Sequence, residues 1–384
     1  MVTLKNLSVE DPEDSGLPLL PEAENIEQAA ATNGKTELRK FFISRETNLC
    51  LSLVLLLGCY SAVLVPVYLP KEQPIWKNGS LQGRDMVLLN SSASLLAGEC
   101  RPGWCGERLR SAALCPRLPE VPVFLQEGHA EWAQPPPLGF QDSEERAART
   151  LQTLPQTGPP PGLRGRGCSR CVVVGSGGVL LGSRLGAHID QYDIIIRMNN
   201  APVFGFEKDA GSRTTIRLMY PEGAPRSPRE YQNTAIVALV AFKSLDLEWL
   251  ASVVTKESLG WWSKLWFWRD VVESIPLQPE NFRILNPEVI HQTSLALQTY
   301  SKQQKKMVPT LGASAVVMAL RLCDEVSLAG FGYDLQHPAA PLHYYEALRM
   351  DAMKSQVVHD ISTEKVFLRE LVAAQVVTDL TGAL

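Results

Sequence analysis

The sequence lacks clustered positive charge, and this excludes a protein whose main role is to coat nucleic acid. Its 37 lysines and arginines are outnumbered by 41 aspartates and glutamates, whereas nucleic-acid binding needs concentrated cations that replace counterions. Eight cysteines are too few for a disulfide-dense miniprotein, and no internal repeat is present. With 45% apolar and 20% charged residues, the 384-residue chain is neither collagen-like nor fully disordered. These exclusions leave a globular protein with a buried hydrophobic core.

One stretch lacks charge altogether. Residues 47–70 contain no charged side chain, and about 20 helical residues suffice to cross a hydrocarbon core of about 30 Å. A cleaved signal peptide fits badly, because the run begins far from the N-terminus and is longer than an h-region of about 7–15 residues. A buried core helix is the other alternative. We predict a single transmembrane signal anchor.

The flanks of this span indicate its orientation. Four basic residues precede it closely and three follow it, which is a weak positive-inside signal. Glycosylation sequons at Asn78 and Asn90, and six of the eight cysteines, lie on its C-terminal side. We predict a type II protein with a disordered cytosolic tail over 1–46, an extended stem over 71–99 and a lumenal folded domain over 100–384, and the sequence leaves the boundary between stem and domain open between Ser80 and Cys100.

From Cys171 onward, β-branched runs alternate with helix-length segments. Cys171–Val174, Asp193–Arg197, Ala235–Val240 and Val326–Ala329 are typical of buried strands, and Ser314–Cys323 is typical of a helix. This alternation predicts an α/β domain of Rossmann-like type, in which a mostly parallel sheet carries helices on both faces.

A glycine-rich turn, Gly175–Gly178, follows the first of these strands. Such a turn brings backbone N–H groups close to a phosphate or a sugar. The dinucleotide fingerprint G-x-G-x-x-G is not met, because Leu180 occupies its third glycine position. The turn therefore indicates a general nucleotide crevice or a purely structural turn, and not a clear nicotinamide site.

Four segments resemble the sialyl motifs of eukaryotic sialyltransferases, and they occur in the family's order. Residues 171–217 are similar to the large motif, residues 309–334 to the small motif, His343-Tyr-Tyr345 to the third motif and residues 359–364 to the very small H-x₄-E motif. The resemblance implies a Golgi membrane enzyme that transfers sialic acid from CMP-sialic acid to the 3-hydroxyl of a terminal galactose, with inversion.

The linking sequences narrow the expected acceptor. Tyr220–Pro225 and Arg283–Pro287 resemble those of family members that act on lactosylceramide, which is therefore the acceptor expected here. Glycoproteins or other galactose-terminated glycolipids are the alternative. Because such a transfer passes through an oxocarbenium-like state as the CMP phosphate departs, it needs a base for the acceptor proton and stabilisation of the leaving phosphate.

The resemblance assigns these catalytic tasks to two histidines. His359 is the expected base, since an imidazole with a pKa near 6.5 suits proton removal at Golgi pH. His343 is expected to contact the phosphate and to assist the departure of CMP. Glu364 supports the site, either by orienting the base or only by capping a helix.

Six further motif positions are assigned to donor binding by the resemblance. They are Ser176, Asn199, Thr310, Gly312, Gly332 and Tyr344. Ser176 stands where many relatives carry asparagine, so a hydroxyl replaces the two-ended carboxamide. The alternatives are structural: a turn at Asn199 and at the two glycines, and core packing for the tyrosine.

The resemblance also implies a disulfide between Cys171 and Cys323, which a lumenal location permits. Cys168 and Cys171 have C-x-x-C spacing, but a second such pair and a nearby histidine pair are absent, so zinc is not indicated. Cys168 is expected to pair with one of three cysteines, and the sequence leaves the choice open. The three are Cys100, Cys105 and Cys115.

No cofactor and no metal are predicted. Metal-dependent glycosyltransferases often hold a divalent ion with an Asp-x-Asp sequence, and the nearest match is Asp246-Leu-Glu248, which we expect on a solvated helix face. Five of the eight tryptophans lie within Trp249–Trp268. Such a cluster suits a membrane interface or a sugar and lipid platform, and burial in the core is an equal alternative.

Two other classes of function compete with a sialyltransferase. A membrane-anchored NAD(P) oxidoreductase would explain the glycine-rich turn, but its fingerprint is missing. A lumenal lectin-like module would need no base, so the presence of both His343 and His359 counts against it. The expected partners are CMP-sialic acid, a galactose-terminated acceptor and the Golgi membrane, with no nucleic acid and with homodimerisation left open.

Overall fold

The computed structural model describes residues 82–112, 121–127, 133–163, 167–301, 307–334, 336–355 and 359–384. The predicted cytosolic tail, the predicted span over 47–70 and the sequon at Asn78 lie outside these residues. Among the helices of the described ranges, none is long and apolar enough to cross a membrane.

Within the described residues, seven strands form one sheet in which every neighbouring pair runs parallel. The strands are β1 (Arg170–Val174), β2 (Ile194–Met198), β3 (Thr214–Met219), β4 (Thr234–Leu239), β5 (Phe282–Ile284), β6 (Glu325–Ala329) and β7 (Val377–Asp379). Their order in the sheet is β5-β4-β3-β2-β1-β6-β7. The α/β prediction is confirmed, and the four predicted strands correspond to β1, β2, β4 and β6.

The described residues also form ten α-helices and five short 3₁₀ turns. The helices are α1 (Gln82–Ala97), α2 (Trp104–Ala112), α3 (Glu144–Thr153), α4 (Gly186–Ile189), α5 (Glu207–Ala210), α6 (Ser244–Thr255), α7 (Trp261–Lys264), α8 (Pro287–Gln298), α9 (Leu311–Leu322) and α10 (Ile361–Ala373). The 3₁₀ turns are Gly178–Leu180, Pro221–Gly223, Pro228–Tyr231, Pro279–Asn281 and Met350–Ser355.

The helices cover both faces of the sheet because side chains alternate along each strand. Val173 and Ile196 face one side, where they share a core with buried residues of α8, α9 and α10. Val172 and Ile195 face the other side and pack with residues of α4. The strands are buried on both faces, which is why their sequences read as continuous apolar runs.

A helix lies in the range where the boundary between stem and domain was left open. Helix α1 covers residues 82–97, and its partly buried Leu89, Leu95 and Leu96 pack against the core on one face of the sheet. Asn90, the second predicted glycosylation site, is exposed on this helix. The end of the predicted stem is therefore part of the packed structure.

Among the described residues, two disulfides link β1 and the residues before it to neighbouring segments. Cys171 in β1 bonds to Cys323, the residue that ends α9, with 5.8 Å between their Cα atoms, as the resemblance implies. Cys168 bonds to Cys100, which resolves the three-way choice left by the sequence. Cys105 is a buried free thiol, and Cys115 lies outside the described residues.

Candidate active site

The candidate site lies where the order of strands in the sheet reverses. Strand β1 has β2 on one side and β6 on the other, so the chain leaves β1 in one direction and returns on its opposite edge. In parallel sheets such a switch point opens a crevice at the carboxyl ends of the strands. The crevice here is lined by Gly175 and Ser176 after β1 and by Gly330, Phe331 and Gly332 after β6.

The two loops approach each other so closely that the turn after β1 needs glycine. A Cβ atom on Gly175 would lie 2.5 Å from the carbonyl oxygen of Gly330. The N–H of Gly177 donates to that same oxygen at 2.9 Å. The turn thus has a structural reason for its glycines, and it also forms one wall of the crevice.

A cavity of about 780 Å³ lies in this crevice, and nearly all of the predicted catalytic, donor-binding and supporting residues line it. Eight of them line it, namely Ser176, Asn199, Thr310, Gly312, Gly332, His343, His359 and Glu364. Its volume lies in the range of small-molecule and cofactor sites. Residues that are up to 188 positions apart in the sequence, from Ser176 to Glu364, therefore meet at one site.

His359 is held in an orientation that suits a base. Its Nδ1 atom donates to the backbone carbonyl of Val308 at 2.8 Å, which places the ring proton on Nδ1 and the lone pair of the neutral ring on Nε2. Burial lowers the pKa of His359 below its ordinary value, with the Val308 hydrogen bond acting in the opposite direction. The neutral, proton-accepting form is therefore favoured.

Glu364 contacts the start of α9. The carboxylate accepts hydrogen bonds from the N–H of Thr310 at 2.7 Å and from its hydroxyl at 2.6 Å. The same hydroxyl accepts from the N–H of Ala313 and so caps α9. Burial raises the pKa of Glu364 to about 7, opposed by its hydrogen bonds with Thr310. Glu364 thus positions Thr310, the N-cap residue of α9.

His343 is paired with a carboxylate. Its Nδ1 atom hydrogen-bonds to Glu346, three residues further along the chain, and its ring stacks on Tyr345 with 9° between the two planes. A carboxylate on Nδ1 fixes the ring's orientation and favours a proton there. Glu346 and Tyr345 also line the cavity, and neither was predicted as a site residue.

Tyr344, predicted to bind the donor, does not line the cavity. Its side chain is 3% exposed, its hydroxyl donates to the carbonyl of Pro202 at 2.6 Å, and its ring meets Phe206 edge-on. The cause is local geometry, because His343 bridges to Gly177 in an extended segment and neighbouring side chains of such a segment point to opposite sides. The neighbouring Tyr345 takes the position in the cavity instead.

The side chain of Asn199 provides a buried hydrogen-bond acceptor at the site. It follows β2 with a φ of 48°, a left-handed conformation that asparagine tolerates. Its side-chain oxygen is buried and has no hydrogen-bond partner among the residues described by the structure. Arg217, fully buried in β3, donates to the Asn199 carbonyl at 2.7 Å and to that of Ala201 at 3.0 Å. Arg217 was not predicted; its signal is a charged residue inside an apolar strand.

Of the two predicted donor-binding glycines, Gly332 has a clear structural requirement. Its φ is 103°, and a Cβ atom there would clash with the carbonyl oxygen of Ala383. Gly312 lines the cavity near the ring of Phe331. Both glycines therefore border the site, although the glycine at 332 is demanded by packing against the C-terminal residues.

A second group of polar and aromatic residues forms another part of the cavity wall. The ammonium group of Lys243 lies 2.5 Å from the buried carboxylate of Glu222 and 4.5 Å from the ring centre of Phe267. Trp268 and Arg269 complete this wall, with the guanidinium 4.9 Å from the indole centre. None of these contacts was predicted from the sequence.

The prediction that Asp246 lies on a solvated helix face is wrong. Its side chain is fully buried, and it accepts hydrogen bonds from the N–H groups of Phe242 at 2.8 Å and Lys243 at 3.2 Å at the start of α6. Burial raises its pKa to about 6. In the parts of the chain that the structure describes, no three His, Cys, Asp or Glu side chains are grouped to hold a metal ion.

The tryptophan cluster divides into buried and exposed members. Trp249 is fully buried, and its indole N–H donates to the carbonyl of Val272 at 2.7 Å. Four others expose half or more of their side chains. They are Trp261, Trp262, Trp266 and Trp268. The sequence had left core and surface as equal alternatives, and both occur within one segment.

Comparison with known proteins places this geometry in a family. Residues 125–376 match glycosyltransferase family 29 (sialyltransferase). The human lactosylceramide alpha-2,3-sialyltransferase is 44% identical over 303 residues, covering 76% of this chain and 72% of its own length. The rat CMP-N-acetylneuraminate-beta-1,4-galactoside alpha-2,3-sialyltransferase is 41% identical over 306 residues, covering 77% and 81%.

A solved structure has the same fold. The crystal structure of a mammalian sialyltransferase in complex with Gal-beta-1-3GalNAc-ortho-nitrophenol matches with a TM-score of 0.57 and 28% sequence identity, over 74% of this chain and 100% of the other. Sequence family, relatives and fold therefore agree with the four motifs that meet at the cavity. The chain belongs to glycosyltransferase family 29, the sialyltransferases.

Proposed function

We propose that this sialyltransferase moves sialic acid from CMP-sialic acid to the 3-hydroxyl of the terminal galactose of lactosylceramide, by an inverting mechanism. The observation that carries the proposal is the pairing of His359 and His343 at one cavity, each oriented through its Nδ1 atom by a different partner. Inverting transfer requires one group that removes a proton and another that stabilises the leaving group.

His359 is assigned the role of base. Because its proton resides on Nδ1, the Nε2 lone pair can accept the proton of the galactose hydroxyl as that oxygen attacks the anomeric carbon. His343 is assigned to the departing phosphate: in its doubly protonated form, with the Nδ1–H directed to Glu346, the ring can donate a hydrogen bond from Nε2–H. The buried side-chain oxygen of Asn199 offers an acceptor for an N–H or O–H of the nucleotide.

The acceptor assignment is supported by the relatives and by the cavity wall. The human relative is named for lactosylceramide, and the rat relative for a beta-1,4-galactoside; both names specify alpha-2,3 transfer. The wall formed by Glu222, Lys243 and Trp268 combines hydrogen-bonding groups with an aromatic ring, which is the chemistry that a sugar requires. Glycoproteins with terminal galactose remain the alternative acceptors.

We further propose a Golgi location with the catalytic domain in the lumen, anchored by residues 47–70. Two disulfides and an exposed sequon at Asn90 support an oxidising, lumenal compartment. Transfer is proposed to need no metal, because phosphate departure is assigned to His343. Homodimerisation stays a prediction.

Acceptor choice tests this function directly. The full-length chain, purified in detergent, is given CMP-sialic acid with lactosylceramide, with free lactose and with an asialoglycoprotein that carries terminal galactose. We expect mass spectrometry with linkage analysis to show α2,3-linked product, formed fastest on lactosylceramide. Faster transfer to the glycoprotein would contradict the acceptor assignment, and an α2,6 product would contradict the regiochemistry.

A further inference from the structure

Helix α7 and the residue pair after it present large apolar side chains to solvent. Trp261, Trp262, Leu265 and Trp266 expose 64%, 64%, 66% and 77% of their surface, and we call these four residues the tryptophan face. The indole rings of Trp261 and Trp262 stack with centroids 4.0 Å apart. Contiguous exposure of such residues usually marks an interaction surface, because large aromatic side chains are normally buried.

The tryptophan face is fixed to the domain from beneath. Ser263, within α7, donates its hydroxyl to Glu248 at 2.9 Å, and Lys264 pairs with Glu273 at 2.7 Å. Phe267, between exposed neighbours, is only 7% exposed and belongs to the core beside α6. The segment is therefore attached to the core while its indoles point outward, as expected for a surface that contacts a partner.

The face is continuous with the active site. Trp268 and Arg269 follow it in the sequence, separated from Trp266 only by the buried Phe267, and both line the cavity. Whatever covers the tryptophan face therefore lies next to an entrance of the cavity. A second copy of the chain on this face would crowd that entrance, whereas a surface that itself carries the acceptor would deliver it there.

The net charge of residues 256–273 distinguishes between the kinds of partner that could contact the tryptophan face. Residues 256–273 contain three cations (Lys256, Lys264 and Arg269) and three anions (Glu257, Asp270 and Glu273), so their net charge is zero. A nucleic acid or an acidic protein would require excess positive charge. Neutral sequence rich in tryptophan is instead typical of the headgroup region of a membrane, where indole rings have apolar bodies and a polar N–H.

We propose that the tryptophan face inserts into the interfacial region of the lipid bilayer that holds the acceptor, and so brings the cavity to the membrane surface. The acceptor part of this inference rests on the proposed function. Lactosylceramide keeps its ceramide within the bilayer and exposes only a disaccharide, so the cavity must approach the headgroups closely. Contact with zwitterionic lipid can be measured without any transfer reaction.

Photo-crosslinking to lipid tests the contact. The full-length chain is reconstituted into phosphatidylcholine vesicles that contain a diazirine-labelled phosphatidylcholine, irradiated and mapped by peptide mass spectrometry. We expect labelled peptides from residues 261–268 in addition to those near the predicted anchor. Since the segment has no net charge, anionic lipid should change this labelling by less than about twofold. Labelling confined to the anchor region would overturn the proposal.

Kinetics of a double variant test the consequence for the enzyme. With Trp262→Ser and Trp266→Ser combined, we expect the activity toward lactosylceramide in vesicles to fall by about tenfold or more, because two inserted indoles lose their apolar burial. Activity toward soluble lactose should stay within about twofold of the wild type. Phe204→Ser is the matched control, because Phe204 is 58% exposed but does not line the cavity.

The remaining outcomes separate this proposal from its rivals. Equal losses on both acceptors with a lowered Tm would show a folding role and overturn the proposal, as would a change from dimer to monomer in detergent that accompanies the losses. A wild-type chain that labels at residues 261–268 but ignores lactosylceramide would refute the proposed acceptor and support the membrane contact.

Discussion

His359 and Glu364 bind the same three-residue segment at its two ends. His359 donates to the carbonyl of Val308, and Glu364 accepts from both the N–H and the hydroxyl of Thr310. The two residues of the H-x₄-E motif therefore fix one loop, which in turn begins α9. Glu364 acts on the expected base through this loop, and it is a positioning residue.

The protonation of Glu364 predicts a dependence of stability on pH. Its pKa is raised from 4.5 to about 7 in the folded chain, so between these values the folded state holds a proton that the unfolded state has released. Wild-type stability is therefore lost as the pH rises through this window. Glu364→Gln does not titrate, so its free energy of unfolding relative to wild type should increase from pH 5 to pH 7, by at most about 3 kcal/mol.

Thermal unfolding of the full-length chain at several pH values measures this difference. Tm values of the Glu364→Gln variant and the wild type that stay parallel from pH 5 to pH 7 would contradict the raised pKa. Glu364→Ala is the complementary variant. It leaves the N–H of Thr310 without its acceptor, and we expect it to cost about 1–3 kcal/mol at pH 5 and less at pH 7, because alanine does not titrate either.

Replacement of His359 should remove catalysis and preserve donor binding. We expect His359→Ala to lower kcat by about 10²–10⁴-fold, which is the contribution typical of a general base, with little change in the Kd for CMP. Because burial lowers its pKa, the acid limb of the wild-type kcat/KM profile should have its midpoint below pH 6.5. His291→Ala is the control, since His291 lies on α8 and does not line the cavity.

The two adjacent tyrosines should respond differently to loss of their hydroxyls. Tyr344→Phe removes a buried hydrogen bond to the carbonyl of Pro202, so we expect a loss of about 1 kcal/mol of stability with KM nearly unchanged. Tyr345→Phe changes the cavity wall, so its effect should appear in the KM for CMP-sialic acid with Tm preserved. A raised KM with unchanged Tm for Tyr344→Phe, and a lowered Tm with unchanged KM for Tyr345→Phe, would instead indicate that Tyr344 binds the donor.

The disulfide between Cys171 and Cys323 should contribute strongly to stability. It closes a loop with a sequence separation of 152, for which the chain-entropy relation gives about 5 kcal/mol. Replacement of both cysteines by serine should lower Tm markedly. Non-reducing peptide mapping of active enzyme should recover the linked peptides, and a free thiol at either position would refute the bridge.

Metal removal should leave the enzyme active. Because His343 is assigned to the leaving phosphate, we expect transfer rates in excess EDTA to stay within about twofold of those without chelator. A loss of activity that added Mn²⁺ or Mg²⁺ restores would contradict this assignment.

The sequence predicted the centre of the sheet well, because β1 and β2 are continuous β-branched runs that pattern alone can identify. It missed β5 and β7, which have three residues each, and β3, whose buried Arg217 interrupts an apolar pattern. Such an arginine is tolerated because backbone carbonyls accept its hydrogen bonds, and sequence does not show those acceptors.

The motifs predicted which segments form the site, but not the direction in which individual side chains point. Of the nine catalytic, donor-binding and supporting residues that the motifs assigned, eight line the cavity. The choice between Tyr344 and Tyr345 depends on which side of an extended segment each faces. Asp246 was misassigned for a related reason: an acidic residue in the first turn of a helix can face solvent or fold back onto backbone N–H groups, and only tertiary packing decides.

The position of β1 in the sheet has a consequence for biosynthesis. Its neighbour β2 emerges from the ribosome soon after it, but its other neighbour, β6, begins only at Glu325. Until then one edge of a largely apolar strand has no partner, and unpaired strand edges promote aggregation. The crevice between β1 and β6 also cannot exist before Glu325 is synthesised. A nascent chain therefore gains no stabilisation from CMP-sialic acid during most of its synthesis, and we expect it to depend on chaperones during that interval.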